Sequence, residues 1–234
     1  MASPTPAGRP VALTPVGSLA TASTALIGLA CATALFNAWS DWNRYTVVDD
    51  YLASEPGVGL SDLVNADNVS LTTGVANLFS YVAAGVVFLC WLWRARANAE
   101  LFNTAKHRLS RGWTTGGWIC PVVNLWYPRF VVDDVWRTSR PDVPNDLQSV
   151  QGLPHSPLVR MWWFAWLARW ATSVWFLVES GRPTTLASLQ NMAFASTLGA
   201  VFTCVAGVLV VLVLRQITEW QSIPRTAPDN WRRA

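Results

Sequence analysis

Charge is what this sequence has least of. Asp, Glu, Lys and Arg make up 13% of its 234 residues, about half the roughly 25% found in an average soluble domain. So few charges cannot cover the surface of a water-soluble fold, and the composition argues against one. Lysine is almost missing: Lys106 stands alone against 16 Arg, a bias that suggests a GC-rich coding genome and hence a bacterium. Histidine is confined to His107 and His155, both in polar stretches where they read as surface residues. The four cysteines (Cys31, Cys90, Cys120 and Cys204) sit in separate apolar stretches, and no pair has metal-ligand or redox spacing. Each therefore reads as a small buried hydrophobe. The chain has no Gly-x-Ser-x-Gly elbow, no His-Glu-x-x-His helix and no phosphate-cradling glycine loop. No catalytic, metal or cofactor site is expected from it, and the protein does not read as an enzyme. The net charge of +3 is modest, and no basic groove interleaved with aromatics points to nucleic acid.

What the sequence has in abundance is apolar surface. The hydrophobic set reaches 52%, with 15 Trp, a residue favoured at membrane interfaces because its ring is apolar while its N–H wants a partner. About 20 mostly apolar residues are needed to cross a hydrocarbon core roughly 30 Å thick. Four runs meet that length, at about 16–39, 73–93, 158–178 and 192–214. Backbone groups must pair internally in lipid, so continuous runs of this kind read as helices. The first run is too long for a signal-peptide core and is expected to stay as an uncleaved span. The fold class expected is all-α: an integral membrane bundle of four transmembrane helices. Residues 1–15 are expected as a disordered cytoplasmic tail, 16–214 as the membrane domain and 215–234 as a second cytoplasmic tail. In span four, Ala195, Gly199, Thr203 and Gly207 recur every four residues, a small-residue stripe suited to close helix packing.

Charge placement orients the bundle. Residues 41–71 carry Asp41, Asp49, Asp50, Glu55, Asp62 and Asp67 against Arg44 alone, whereas 94–111 carry Arg94, Arg96, Lys106, Arg108 and Arg111 against Glu100. Loops rich in Lys and Arg stay cytoplasmic. The acidic loop is thus expected outside, and both termini inside the cell membrane.

The stretch between spans two and three is neither a span nor an ordinary loop. In 94–111, Ala97, Leu101, Ala105 and Leu109 recur every four residues with bases between them. This pattern suits an amphipathic helix on an anionic inner leaflet, and it equally suits a straight extension of span two. Residues 112–128 are apolar but short, and Gly116, Gly117 and Pro121 interrupt them. That reads as a re-entrant or interfacial segment. Asn124 is expected to satisfy the broken backbone or else, with the carbonyls freed near Pro121, to face a polar cavity. Arg129 to Arg137 reads as a second amphipathic helix. Its Asp133 and Asp134 point about 100° apart and are expected on a solvated face, paired with Arg129 or Arg137. Residues 141–157 read as a polar, mobile linker.

Trp91-Leu-Trp-Arg-Ala-Arg-Ala-Asn-Ala-Glu100, His107-Arg-Leu-Ser-Arg-Gly-Trp-Thr-Thr-Gly-Gly-Trp118, Pro121-Val-Val-Asn-Leu-Trp-Tyr-Pro128 and Val132-Asp-Asp-Val-Trp136 together resemble the bacterial membrane family called domain of unknown function 4328. The resemblance implies a multi-pass bacterial membrane protein and no particular activity.

Arg169 is the one clear charge within an expected span, and an intramembrane charge is a functional hypothesis by default. It reads as an anion, headgroup or pathway contact, as a side chain snorkelling beside Trp166 and Trp170, or as a donor to carbonyls near Pro121. The contact set expected for lipid, ligand or pathway is Arg169, Asn124, Pro121, Arg94, Arg96, Arg108 and Arg111. The leading function is a noncatalytic scaffold or regulator engaging anionic inner-leaflet lipid, or a protein partner or second copy, through its central segment. The alternative is a small channel or transporter using the broken segment and Arg169.

Overall fold

The computed structural model describes residues 13–102, 105–144 and 149–223. Most of the expected tail at 1–15, and residues 224–234 of the other tail, lie outside these. Six helices follow one another: α1 (Gly17–Leu52), α2 (Leu60–Phe102), α3 (Trp113–Ile119), α4 (Tyr127–Ser139), α5 (Pro157–Ser180) and α6 (Leu186–Ser222), with 3-10 turns at Val123–Leu125 and Val150–Gly152. Among the described residues there is no strand, only an isolated bridge between Lys106 and Ser149.

Among the described residues three helices, not the expected four, are long and apolar enough to cross a membrane: α1, α2 and α6. The third expected span, now α5, is helical over 24 residues but falls short in apolarity. Its Trp162, Trp163, Trp166, Trp170 and Trp175, together with Arg160, Arg169 and Glu179, dilute the aliphatic content on which hydropathy depends.

The helices overrun the apolar runs. Hydropathy fades after residue 39, yet the backbone ladder continues to Leu52, because nothing breaks it before Pro56 and Gly57. The acidic loop expected over 41–71 is therefore mostly helix. The turn between α1 and α2 holds its only described positive-φ residues, Ser54 at 59° and Gly57 at 93°. Asp62 accepts from the Gly59 N–H at 2.9 Å, capping the start of α2.

The chain divides into two compact units. The first comprises residues up to 22, 87–160 and those from 211 onward; the second comprises 23–86 and 161–210. In the second unit much of the interior is small or polar, with Trp162, Trp163 and Leu189 as the large exceptions: Ala34, Ala38 and Ala200 form a buried cluster, while Phe79, Leu177, Leu71 and Val208 stand 70%, 69%, 68% and 62% exposed. A water-soluble domain does the reverse. Large apolar side chains outside and small ones inside are the arrangement that lipid selects, where helix association depends on close approach and interhelical hydrogen bonds.

A polar seam joins α1 to α2 in this unit. Ser40 Oγ and Thr73 Oγ1 lie 2.6 Å apart, Thr33 Oγ1 and Ser80 Oγ 2.7 Å, and Ser70 donates to Asp41 at 2.8 Å. Such bonds contribute about 0.6 kcal/mol each in membrane bundles. Asp41 is buried here rather than lying in an external loop. The small-residue stripe behaves as expected. A Cβ on Gly199 would lie 3.2 Å from Thr172 Oγ1, and one on Gly207 only 2.9 Å from Cys31 Sγ.

The first unit is tied by a buried amide pair. Asn98 exchanges two hydrogen bonds with the Thr14 backbone and donates to Gln221 Oε1 at 3.1 Å. Gln221 in turn donates to Ala95 O and Ser139 Oγ. Trp91 donates to Thr218, and Trp136 to Gln216. These bonds pin the segment before α1, the end of α2, α4 and the end of α6 to one another.

Candidate functional site

In the first unit α2 runs straight through Arg94 to Phe102 and stops. The 94–111 pattern is thus the extension of the second span, and no separate amphipathic helix reaches Arg111. Arg108 lies against α4. There the Arg108 N–H and Nε donate to the two oxygens of Asp134 at 2.9 and 2.8 Å, and its Nη2 donates to Asp133 at 2.9 Å. The guanidinium also lies 4.7 Å from the centre of the Phe130 ring.

Asp133 collects more partners than any other carboxylate among the described residues. Its Oδ1 accepts from the Ser156 N–H at 3.0 Å, His155 Nδ1 lies 2.7 Å from its Oδ2, and Arg137 Nε is 3.2 Å from the same oxygen. Asp133, Asp134 and Arg137 are 3%, 1% and 1% exposed. The solvated acidic face expected on α4 is instead its buried one. Arg137 is the partner and Arg129, which lies over the Phe130 ring, is not. Residues 141–157 are likewise packed rather than a free linker in their described part, with Val143, Val150 and Ser156 buried. Burial pushes the Arg137 guanidinium below its usual range, while Asp133 beside it pulls the other way.

His107 is a second departure from a surface reading. Both of its ring nitrogens are buried and bond to no described residue. Burial, with Arg96 adding to it, holds its pKa below the ordinary histidine value, so the neutral ring is favoured.

The expected contact arginines separate into two kinds. Arg96 is buried, its Nε bonded to Glu100 at 2.9 Å and its Nη2 to Leu109 O, and Arg108 is spent in the cluster. Arg94 and Arg111 are exposed; Arg94 reaches Pro15 O at 3.4 Å, and Arg111 lies 5.2 Å over the Trp93 ring.

The stretch 112–128 is broken at Pro121, whereas Gly116 and Gly117, expected to interrupt it, lie inside α3. Cys120, next to Pro121, takes the extended conformation (φ −78°, ψ 114°) that a following proline imposes, and it ends α3. Gly117 lets α3 close on α4: a Cβ there would sit 3.2 Å from Tyr127 Cβ. Trp113 and Tyr127 meet edge to face at 4.9 Å. The Asn124 side-chain Oδ1 is buried without a partner among the described residues. Ile119 and Val122 project from the break, 76% and 65% exposed.

In the second unit a cavity of about 650 Å³ is lined by residues of α1, α2, α5 and α6, among them Asn37, Asp41, Asn77, Tyr81, Arg169 and Ser173. Arg169 Nε donates to Thr203 Oγ1 at 2.9 Å, Nη1 donates to Ser173 Oγ, and the guanidinium lies 5.7 Å from the Tyr81 ring centre. Trp166 Nε1 donates to Tyr81 OH at 3.0 Å, so the ring that faces Arg169 is itself held. Among the described residues no three His, Cys, Asp or Glu are placed to share a metal ion.

The family described as Domain of unknown function (DUF4328) matches residues 56–219, well over half of the chain and everything from the start of α2 to near the end of α6. No curated protein and no solved structure matches it.

Proposed function

The chain belongs to the DUF4328 family, and from that premise we propose a noncatalytic protein of the bacterial cell membrane whose central segment holds the anionic inner leaflet. The observation that carries this reading is the break in 112–128. Ile119 and Val122 are its most exposed apolar residues, Leu125 and Trp126 follow at 39% and 40%, and Arg111 and Arg129 bracket them. Apolar side chains flanked by arginine are what an interfacial segment presents to acidic headgroups. Orientation follows from the positive-inside rule: Arg94, Lys106 and Arg111 lie inside, and the end of α1, the turn after it and the start of α2, with Asp49, Asp50, Glu55 and Asp62, lie outside. Thr14, just before α1, bonds Asn98 near the end of α2, which fits an N-terminus on the same, cytoplasmic side.

Cys120 is exposed on the break and gives the test a handle. A nitroxide on Cys120, with the other cysteines changed to serine, is expected to be relaxed by oxygen and shielded from an aqueous nickel complex in vesicles containing phosphatidylglycerol. Each arginine near an anionic surface contributes about 1 kcal/mol. Arg111→Glu with Arg129→Glu is therefore expected to weaken retention of phosphatidylglycerol at least about 30-fold. Full aqueous exposure of the label in neutral and anionic vesicles alike would sink the proposal.

The cavity in the second unit favours a second reading, passage of a small solute past Arg169. Proteoliposome flux of a small anion should then fall at least about tenfold in Arg169→Ala, as expected when a preorganised charge of roughly 1.4 kcal/mol or more is removed. Equal flux in the two proteins counts against it.

A further inference from the structure

We infer that the cavity of the second unit is a binding site for a singly charged oxyanion carried on an apolar body, with Arg169 as its anchor. The site does not depend on passage across the membrane, nor on the central segment of the first unit.

The argument begins with charge. Four charged side chains line the cavity: Asp41, Arg44, Asp67 and Arg169. Arg44 and Asp67 neutralise each other, with Nε and Oδ1 2.6 Å apart. Asp41 is held by two neutral donors, Asn37 Nδ2 at 3.1 Å and Ser70 Oγ at 2.8 Å. Arg169 has hydroxyls and an aromatic face for company, and no carboxylate within 4 Å among the described residues. Its Nη2 donates to no described residue, so one side of the guanidinium fork remains unspent.

A partly buried cation inside apolar helices is costly without an opposite charge. The planar fork is shaped for two oxygens of a carboxylate or phosphodiester. The hydroxyls that occupy Nε and Nη1 fix its orientation without neutralising it, as a preorganised anion site requires.

The rest of the lining specifies the ligand. Val75, Leu78, Phe176 and Met192 supply apolar wall, which suits a hydrocarbon body rather than an inorganic ion. Asp41 on the same cavity opposes a second negative charge, which selects a monoanion over a dianion. The volume of about 650 Å³ falls within the range of small-molecule sites. Two sources share this chemistry: a free carboxylic acid, and the phosphodiester of an anionic lipid entering from the bilayer.

The test uses full-length protein in nanodiscs of phosphatidylcholine, with octanoate as the probe and octanol as its uncharged counterpart. Octanoate is expected to bind saturably and octanol not to. Arg169→Gln should weaken octanoate at least tenfold, and Arg169→Lys should restore part of the loss. Asp41→Asn, which keeps the side-chain shape and turns one acceptor into a donor that the Ser70 hydroxyl can accept, should bind octanoate more tightly, a direction that misfolding cannot imitate. Repeating the titration with phosphatidylglycerol in the disc distinguishes the sources: competition identifies the lipid, and undiminished octanoate binding identifies a free acid. The inference is overturned if the wild-type protein does not bind octanoate saturably, or binds octanol as tightly as octanoate. It is overturned equally if Arg169→Gln binds octanoate as the wild type does, or if Asp41→Asn loses binding to the same extent as Arg169→Gln.

Discussion

Replacing Asp133 with alanine will destabilise the protein by about 3–5 kcal/mol, the cost of leaving a buried ion pair half made. The size follows from what Asp133 compensates. Arg137, only 1% exposed, has Asp133 as its one ion-pair partner at 3.2 Å, and its Nη2 already lacks a partner among the described residues. Arg108 keeps Asp134 after the change, so Arg137 bears most of the loss. Ser156 and His155 also lose their acceptor, which frees the segment leading into α5. If the cost comes from stranded charge rather than lost volume, Asp133→Leu combined with Arg137→Met will be far milder than Asp133→Ala alone, because a packed apolar pair often equals a buried ionic one. Unfolding in detergent, followed by tryptophan fluorescence, measures both variants against the wild type. A cost below about 1 kcal/mol for Asp133→Ala is the value expected of a solvated pair, and it would show that the cluster does not hold α4 in place.

That cluster also marks the limit of what could be read in the sequence. Periodicity placed α4 correctly and named Arg137 as a partner, but it could not say which face is buried. The acids of Val132-Asp-Asp-Val looked solvated because burial of charge is rare without partners, and the partners lie elsewhere in the chain. Arg108 arrives from a turn after α2, and His155 from a stretch that composition marks as linker. Both depend on the chain path. The break in 112–128 was legible because Pro121 acts locally on the residue before it, whereas Gly116 and Gly117 stay helical.

The spans were legible in position and too short in extent. Hydropathy reports where lipid suits the side chains, whereas the helix ladder ends only at a breaker, so Asp41 moved from an external loop to the wall of a cavity. Arg169 stood out on charge alone. Ser173, one turn further along α5, was within reach of helical spacing, whereas Thr203 and Tyr81 come from two other helices that no spacing rule joins to it. The third expected span failed on its own tryptophans: an aromatic-rich run reads as membrane-bound by residue type and falls short by hydropathy.

The second large effect is expected at Gly207, where the small-residue stripe of α6 meets α1. A Cβ built there would stand 2.9 Å from Cys31 Sγ and 3.1 Å from Ile27 Cγ2, so any side chain must move the neighbouring helix or its side chains. Gly207→Leu is expected to cost on the order of 3 kcal/mol, the upper part of the range for overpacking a filled core. The opposing term is small, since leaving glycine within a helix gains at most about 1 kcal/mol. Gly28 and Gly85 supply the control, because a Cβ at either meets nothing within 4 Å. Gly28→Ala and Gly85→Ala should therefore be neutral or mildly stabilising in the same unfolding experiment. The contact itself is isolated by a cycle: Gly207→Ala alone should be worse than Gly207→Ala with Cys31→Ala, with a coupling of about 1 kcal/mol or more between the two sites. Additive effects within about 0.5 kcal/mol would mean that α1 and α6 are not held together at this contact.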